Sequence, residues 1–504
     1  MAEQFRYSPN ENRAHEIAWR HWSRDAFRAA VESDRPIFLC LMAVWCRACQ
    51  QLDEGPLSDD RVIELVNERF VPVRVDADRN PHIQDRYIAG GWPTVALLTP
   101  TGEVFWSSAE VEVRELLRVG RGVLEAWHDE RAELEAEIEQ RRKAMEAARS
   151  RRAPTGLVRR EAADDVLTGA QDQFDARNGG FGEAPKFIHA EAVELFLRQG
   201  ERLPNPDWIA MAERTLDGML AGEIEDARDG GFFHYALAAD WTRPQVEKLL
   251  PLNARALSAF TIGADHMGRD DLRGAAERTV AWVDTALARD GLWVGSQFAD
   301  PEYYGDDAGD RAPPGVDDTV YTHAAAMWIA ALADAGRRLR CDAWVERASA
   351  ALDTLLDTMA EPGDTLVHFR DRDAVAPTGL LLDLLHAARA AVAVADAAAR
   401  PDALEHARRL VGTMKDTLWD DAGGFADHRA ESEPLGALRY PSRPFEENAL
   451  AARLHIALAE RTGDRSYRAV AERVLAFLSP LAGRYAVEGA TFAMAVEEFF
   501  DLRR

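Results

Sequence analysis

The sequence predicts an α/β domain of about 130 residues followed by an all-α domain of about twelve helices paired into hairpins. Three observations predict it. The apolar run Pro36–Val44 leads directly into Trp45-Cys46-Arg47-Ala48-Cys49. A second apolar run, Val95–Thr99, is entered through Gly90-Gly91-Trp92-Pro93-Thr94. Beyond about residue 157, strand signals nearly vanish and a glycine–aromatic turn recurs between amphipathic segments. At 504 residues the chain exceeds what one hydrophobic core supports, so two or more domains are required.

The first domain spans 1–131. Trp19–Ser33 has helical periodicity, Pro36–Ala43 reads as a buried strand, and Cys46–Leu52 opens a helix. Ser58–Phe70 is helical behind the cap-like Ser58-Asp59-Asp60, and Val71–Asp76 alternates as a strand. Ile83–Ala89 is a short helix. Val95–Leu98 and Glu103–Trp106 flank a Pro-Thr-Gly turn as a hairpin, and Arg114–Arg131 closes the unit as a helix. This β-α-β then β-β-α order is that of a thioredoxin-like domain.

Residues 132–156 read as a charged, solvated connecting helix and linker, broken at Pro154. Residues 157–504 then give helices near 159–174, 189–199, 206–221, 248–267, 270–289, 316–336, 341–359, 376–397, 401–418, 444–462, 465–479 and 490–501. The turn between alternate helices appears as Asp175-Ala-Arg-Asn-Gly-Gly-Phe181, Asp226-Ala-Arg-Asp-Gly-Gly-Phe232 and Asp420-Asp-Ala-Gly-Gly-Phe425, with Asp290-Gly-Leu-Trp293 as a weaker copy. Six hairpins with a glycine turn each predict an alpha/alpha toroid, whose inner helices line a funnel.

A net charge of −26 repels phosphates and excludes nucleic acid and anionic membrane as partners. Only four of the 60 basic residues are lysines: Lys143, Lys186, Lys248 and Lys415. An acidic, lysine-poor surface suits a high-salt cytoplasm, and a GC-rich genome accounts for it equally well. Absence of a signal-peptide pattern and of an apolar stretch of about 18 residues points to a soluble, cytoplasmic protein. Four cysteines (Cys40, Cys46, Cys49, Cys341) are too few for a disulfide scaffold of this size.

A C-x-x-C that ends a buried strand and opens a helix makes a reactive dithiol. Free amides at the helix N-terminus stabilise the Cys46 thiolate, and Cys49, one turn on, resolves a mixed disulfide formed by Cys46. Pro93, expected after a cis peptide bond, shapes the facing groove. Zinc is the rival occupant, but a structural site needs four ligands, and no second C-x-x-C or C-x-x-H follows. No cofactor and no metal are expected.

In the toroid, candidate binding residues gather after the glycine turns: Lys186, His234, Tyr235, Trp241, Glu247, Lys248, Asn253, Asp318 and Glu446. His189, Tyr303, Tyr304, Asp317, His323, His368, Arg370, Arg439, Glu447 and Asn448 lie in similar positions. A sugar-like ligand suits a funnel of aromatic and polar groups, and paired carboxyls or histidines would supply acid–base chemistry. Glu247, Asp318 and Glu446 also sit near helix N-termini, where acids serve as caps. In so lysine-poor a chain, Lys186 and Lys248 read as forced choices.

With both halves in view, the chain resembles the spermatogenesis-associated, thioredoxin-domain-containing family, as a divergent member. The resemblance rests on Cys46/Cys49, Gly90-Gly91-Trp92-Pro93, Leu98-Thr99-Pro100-Thr101-Gly102, Gly179-Gly180-Phe181-Gly182-Glu183-Ala184-Pro185-Lys186-Phe187, Gly230-Gly231-Phe232-Phe233-His234-Tyr235, Trp241 and Glu247-Lys248-Leu249-Leu250. It implies a thioredoxin-like domain joined to a six-hairpin-glycosidase-like toroid. Arg47, Ala48 and Gln50 stand where the family has histidines within and just after the C-x-x-C. Pro244-Gln245-Val246 and Leu250-Pro251-Leu252-Asn253 replace P-H-F and L-Y-D-N. Cys40 occupies the place where thioredoxins carry a buried Asp, which predicts a slower resolving step.

Three functions follow as expectations. The first is thiol–disulfide exchange with a protein partner. The second is a sugar-active enzyme, epimerase or glycoside hydrolase, with a regulatory or structural first domain. The third is a non-catalytic scaffold.

Overall fold

The computed structural model of the chain describes residues 5–150, 157–203, 205–305, 309, 311–371, 376–430 and 432–502. The 151–156 part of the expected linker lies outside the described residues. Two compact units emerge. One comprises Met1–Arg152, Asp371–Ala376 and His428–Pro441, and the other Ala153–Arg370, Pro377–Asp427 and Ser442–Arg504.

The first unit runs α1 (Arg24–Ser33), β1 (Ile37–Met42), α2 (Arg47–Glu54), α3 (Asp60–Arg69), β2 (Val71–Asp76), α4 (Pro81–Tyr87), β3 (Thr94–Leu98), β4 (Val104–Ser108), α5 (Val113–Asp129) and α6 (Arg131–Ser150). Its sheet has the order β2-β1-β3-β4, with β1 parallel to β2 and antiparallel to β3. All six residues of β1 are buried, which is why this strand reads as an unbroken apolar run rather than an alternation. The α1 helix starts at Arg24, later than the periodicity from Trp19 suggests, because Ser23 caps it, its Oγ accepting from the Ala26 amide. The 132–156 division places 428–441 with the toroid, whereas these residues pack into the first unit. Leu438 enters its core, and Tyr87 Oη accepts from the Ala437 amide at 2.8 Å.

The second unit contains α7 (Glu161–Asp172), α8 (Ala190–Arg202), α9 (Pro206–Ala221), α10 (Leu250–Met267), α11 (Asp270–Ala286), α12 (Thr322–Leu339), α13 (Asp342–Met359), α14 (Leu381–Ala398), α15 (Pro401–Leu418), α16 (Phe445–Thr462), α17 (Arg465–Leu478) and α18 (Ala490–Asp501). The inner helices α8, α10, α12, α14, α16 and α18 each pack on the next, and α18 on α8 closes the ring. Each of α9, α11, α13, α15 and α17 packs outside the inner helix before it, and α7 packs against α18. Inner helices are crowded from several sides. This explains the alanine-rich faces of α12 and α14, where small side chains let backbones approach.

The glycine turns share one construction. The aspartates at 175, 226 and 420 accept backbone amides two residues on through Oδ1, and their own amides donate to Gly180, Gly231 and Gly424. The second glycine has φ of +77° in the first turn and +75° in the second. A Cβ there would meet Trp241 or Trp282 at 2.5 Å, so only glycine fits.

Candidate functional site

Cys46 is the N-cap of α2, and its Sγ accepts the Cys49 amide at 3.3 Å. The same sulfur lies 3.7 Å from the carbonyl of Trp92, to which its thiol donates, and the Trp92–Pro93 bond is cis. Sequence places these groups on separate segments, and the sheet brings them together. Trp45 and Trp92 meet edge to face at 5.4 Å, and Trp45 Nε1 donates to Asp78 at 2.7 Å. Both cysteines are free thiols, Cys46 7% exposed and Cys49 1%. Burial, then the hydrogen bond with Cys46, pushes the Cys49 thiol well above its ordinary value.

Behind the dithiol, Cys40 lies on β1 opposite Arg74, and burial pushes its thiol up to about 12. Asp53, one turn beyond Cys49 on α2, is fully buried and paired bidentately with Arg74 at 2.8 and 2.9 Å. The Arg74 guanidinium also covers the Tyr7 ring at 4.5 Å. A cavity of about 410 Å³ adjoins Cys49, Asp53 and Arg74.

Several toroid candidates hold the turns instead of lining a cavity. Lys186 Nζ, wholly buried, donates to the carbonyls of Gly179 and Gly182 and pairs with Asp175 at 3.0 Å. Lys248 repeats this with Asp226 and the Gly230 carbonyl. Arg443 takes the lysine's part in the third turn, 3.4 Å from Asp420. Asn253 clamps Phe232 through both amide groups, as Asn448 clamps Phe425. Trp241 is 1% exposed, packed on Gly180, Gly218 and Gly222, and donates to the Asn178 carbonyl. These side chains are accounted for by the fold. Asp318 is an exposed surface carboxylate 3.6 Å from Arg289, and Glu446 pairs with Arg255. His234, Tyr235 and Glu247 do gather, His234 Nδ1 lying 2.9 Å from Glu247 and its ring edge-on to Tyr235.

A second cluster forms where α12 and α14 begin. His368 Nδ1 lies 2.9 and 3.0 Å from the two Asp383 oxygens, and the His323 ring stacks on His368 at 5.2 Å, 3° from parallel. The His323 amide donates to Asp383, while its Nδ1 is buried without a hydrogen-bond partner among the described residues. The ligand atoms of these three residues lie within 4.8 Å of one another, close enough to share a proton or hold a metal ion. Burial, then His368, holds His323 well below the ordinary histidine range, and burial raises Asp383.

One turn along α14, His386 Nδ1 is 3.2 Å from Arg389, which faces a funnel cavity of about 500 Å³. Asp383, His386, Arg389, Arg255 and Arg453 escaped the motif reading. The available signal was charge inside otherwise apolar Ala/Leu helices, as in Leu-Leu-Asp-Leu-Leu-His-Ala-Ala-Arg of α14.

Residues 4–146 match the Thioredox_DsbH family model, a protein of unknown function, DUF255. Spermatogenesis-associated protein 20 of Homo sapiens is 28% identical over 309 residues, 56% of this chain and 39% of that protein. The chain is similar to spermatogenesis-associated protein 20 over that stretch. An uncharacterized protein of Caenorhabditis elegans is 27% identical over 264 residues, 49% of this chain and 36% of its own length. The matched stretches thus span less than two fifths of these curated relatives. The toroid fold is shared with cellobiose 2-epimerase from Spirochaeta thermophila (TM-score 0.55, 16% identity, 71% of this chain and 97% of that one). It is shared too with a D-mannose isomerase (TM-score 0.55, 13% identity, 68% and 96%). No helix among the described residues is long and apolar enough to cross a membrane.

Proposed function

We propose that the chain is a thiol–disulfide oxidoreductase acting through Cys46 and Cys49 on a protein or small-molecule disulfide, in a reducing compartment such as the cytoplasm. The observation that carries this reading is the seat of Cys46 Sγ, at the mouth of α2 and 3.7 Å from the Trp92 carbonyl. The Cys49 amide at the helix start donates to this sulfur at 3.3 Å, and the attacking form of a cysteine is the thiolate. That thiolate attacks one sulfur of the partner disulfide. A Cys46–partner bond forms, the partner's S–S bond breaks, and the departing sulfur takes up a proton. Cys49 then loses its proton and attacks Cys46 Sγ, releasing the second partner sulfur. Two electrons pass to the partner, and a reduced thiol such as glutathione restores the pair. Pro93 and Trp92 form the wall against which the partner chain would lie. With glutathione disulfide as substrate, Cys49→Ser is expected to accumulate a mixed disulfide on Cys46, read by intact mass, and Cys46→Ser to form none. Equal labelling of both variants, or none of either, contradicts the reading.

The His323–His368–Asp383 cluster supports a second activity, in the toroid. A histidine with a free, neutral nitrogen beside a buried His–Asp pair suits general acid–base chemistry on a polar ring such as a sugar. His323→Gln should abolish turnover of a responsive sugar from a mono- and disaccharide panel while leaving its binding in place. Unchanged turnover contradicts that role.

A further inference from the structure

The funnel cavity is walled by seven arginines, and six of them are paired. Arg198, Arg255, Arg337, Arg338, Arg453 and Arg461 each have a carboxylate within ion-pair distance. Arg453, for example, is held by Glu194 and Glu498, both at 2.8 Å. Arg389 has none among the described residues; its one hydrogen bond goes to His386 Nδ1 at 3.2 Å. The nearby acids Glu191 and Glu194 are already engaged by Arg255 and Arg453.

We infer that Arg389 anchors a subsite for the oxyanion, carboxylate or phosphate, of a small ligand entering the toroid funnel. A guanidinium carries five donors in a fixed fork that matches such groups bidentately. The bond to His386 takes one donor and orients the fork, leaving the others for the ligand. His386 is kept neutral by burial and the adjacent Arg389, so it accepts rather than competes as a cation. Burial and Arg453 lower Arg389 itself to about 10, with Glu191 and Glu194 offsetting them only in part. A desolvated, unpaired cation is costly to fold around, and a bound anion removes that cost. Met327, Ala330 and Val392 in the same wall offer an apolar face to the ligand body, and the cavity, about 500 Å³, is of small-molecule size. This inference stands independently of the dithiol and of the His323 cluster.

The test is calorimetric binding and thermal melting of the full chain with glucuronate, glucose 6-phosphate and glucose. One or both anions should bind and raise the melting temperature, with glucose at least tenfold weaker. Glucuronate alone identifies a carboxylate ligand, and glucose 6-phosphate alone a phosphate. Arg389→Met should weaken the anions about 10–100-fold, as expected for loss of a charge-assisted pair. It should leave the ligand-free melting temperature unchanged or raised, and Arg389→Lys should recover part of the affinity. The inference is overturned if no anion binds, if glucose binds equally well, or if Arg389→Met keeps full anion affinity. Should Arg389→Met fail to fold, full affinity in Arg389→Gln overturns it likewise.

Discussion

At Cys49, burial works against the chemistry its position invites. The thiol is 1% exposed and its acidity is weakened by burial and by Cys46, while Cys40 supplies no carboxylate behind it. Because the folded-state value is raised, the thiolate is scarce at neutral pH and grows about tenfold per pH unit until that value is reached. A mixed disulfide on Cys46 in the otherwise unaltered protein is therefore expected to persist at pH 7 and to resolve about tenfold faster at pH 8, measured by quenched intact mass. A pH-independent resolving rate would show that Cys49 is not the attacking group. Asp53 and Arg74 form the other decisive pair at this scale. Arg74→Met strands a buried carboxylate and should cost about 3–5 kcal/mol in denaturant unfolding. The Asp53→Leu/Arg74→Met double variant should recover most of the loss. These residues are legible only in three dimensions, since Arg74 looks like any strand arginine until its opposition to Cys40 is known.

At the scale of elements, the toroid is a turn used repeatedly. Asp175 with Lys186, Asp226 with Lys248, and Asp420 with Arg443 close equivalent loops, and Asn253 and Asn448 brace two of them. Scarcity of lysine singled out Lys186 and Lys248 as binding residues, whereas both are buried within the turns. Sequence could not say that what holds them is a ring of carbonyls and an aspartate, because the partners come from the turn's own backbone. Lys248→Met leaves Asp226 buried and unpaired, so unfolding free energy should fall by about 3–5 kcal/mol. Exposed Asp318→Asn, by contrast, should change it by less than about 0.5 kcal/mol. Equal effects of the two would remove the structural role assigned to Lys248. The dithiol was legible because its motif is local and its partner turn carries a distinctive Gly-Gly-Trp-Pro. The funnel was not, because its charges arrive from all six inner helices, with partners up to 300 residues apart, as between Arg198 and Glu498.

At the scale of the molecule, the two-domain architecture follows from patterning alone: a buried apolar strand beside the dithiol in one half, and 3.6-residue periodicity with recurrent glycine turns in the other. Packing of 428–441 into the first unit was invisible, since Leu435, Ala437 and Leu438 carry no periodic signal in so short a stretch. A charge of −26 makes salt a global variable. Shortening the screening length from about 10 Å at 0.1 M to about 3 Å at 1 M relieves self-repulsion, so the melting temperature should rise in KCl. A fall would mean that screening of the many surface ion pairs dominates. Whether Cys46 and Cys49 work as a redox pair is decided by equilibration in glutathione buffers of graded potential, with thiols counted by alkylation and mass. One two-electron transition is expected, which consumes the thiols of Cys46 and Cys49, leaves Cys40 and Cys341 reduced, and disappears in Cys46→Ser/Cys49→Ser. A dithiol that stays reduced at every potential, or a transition that survives in the double variant, contradicts the redox role.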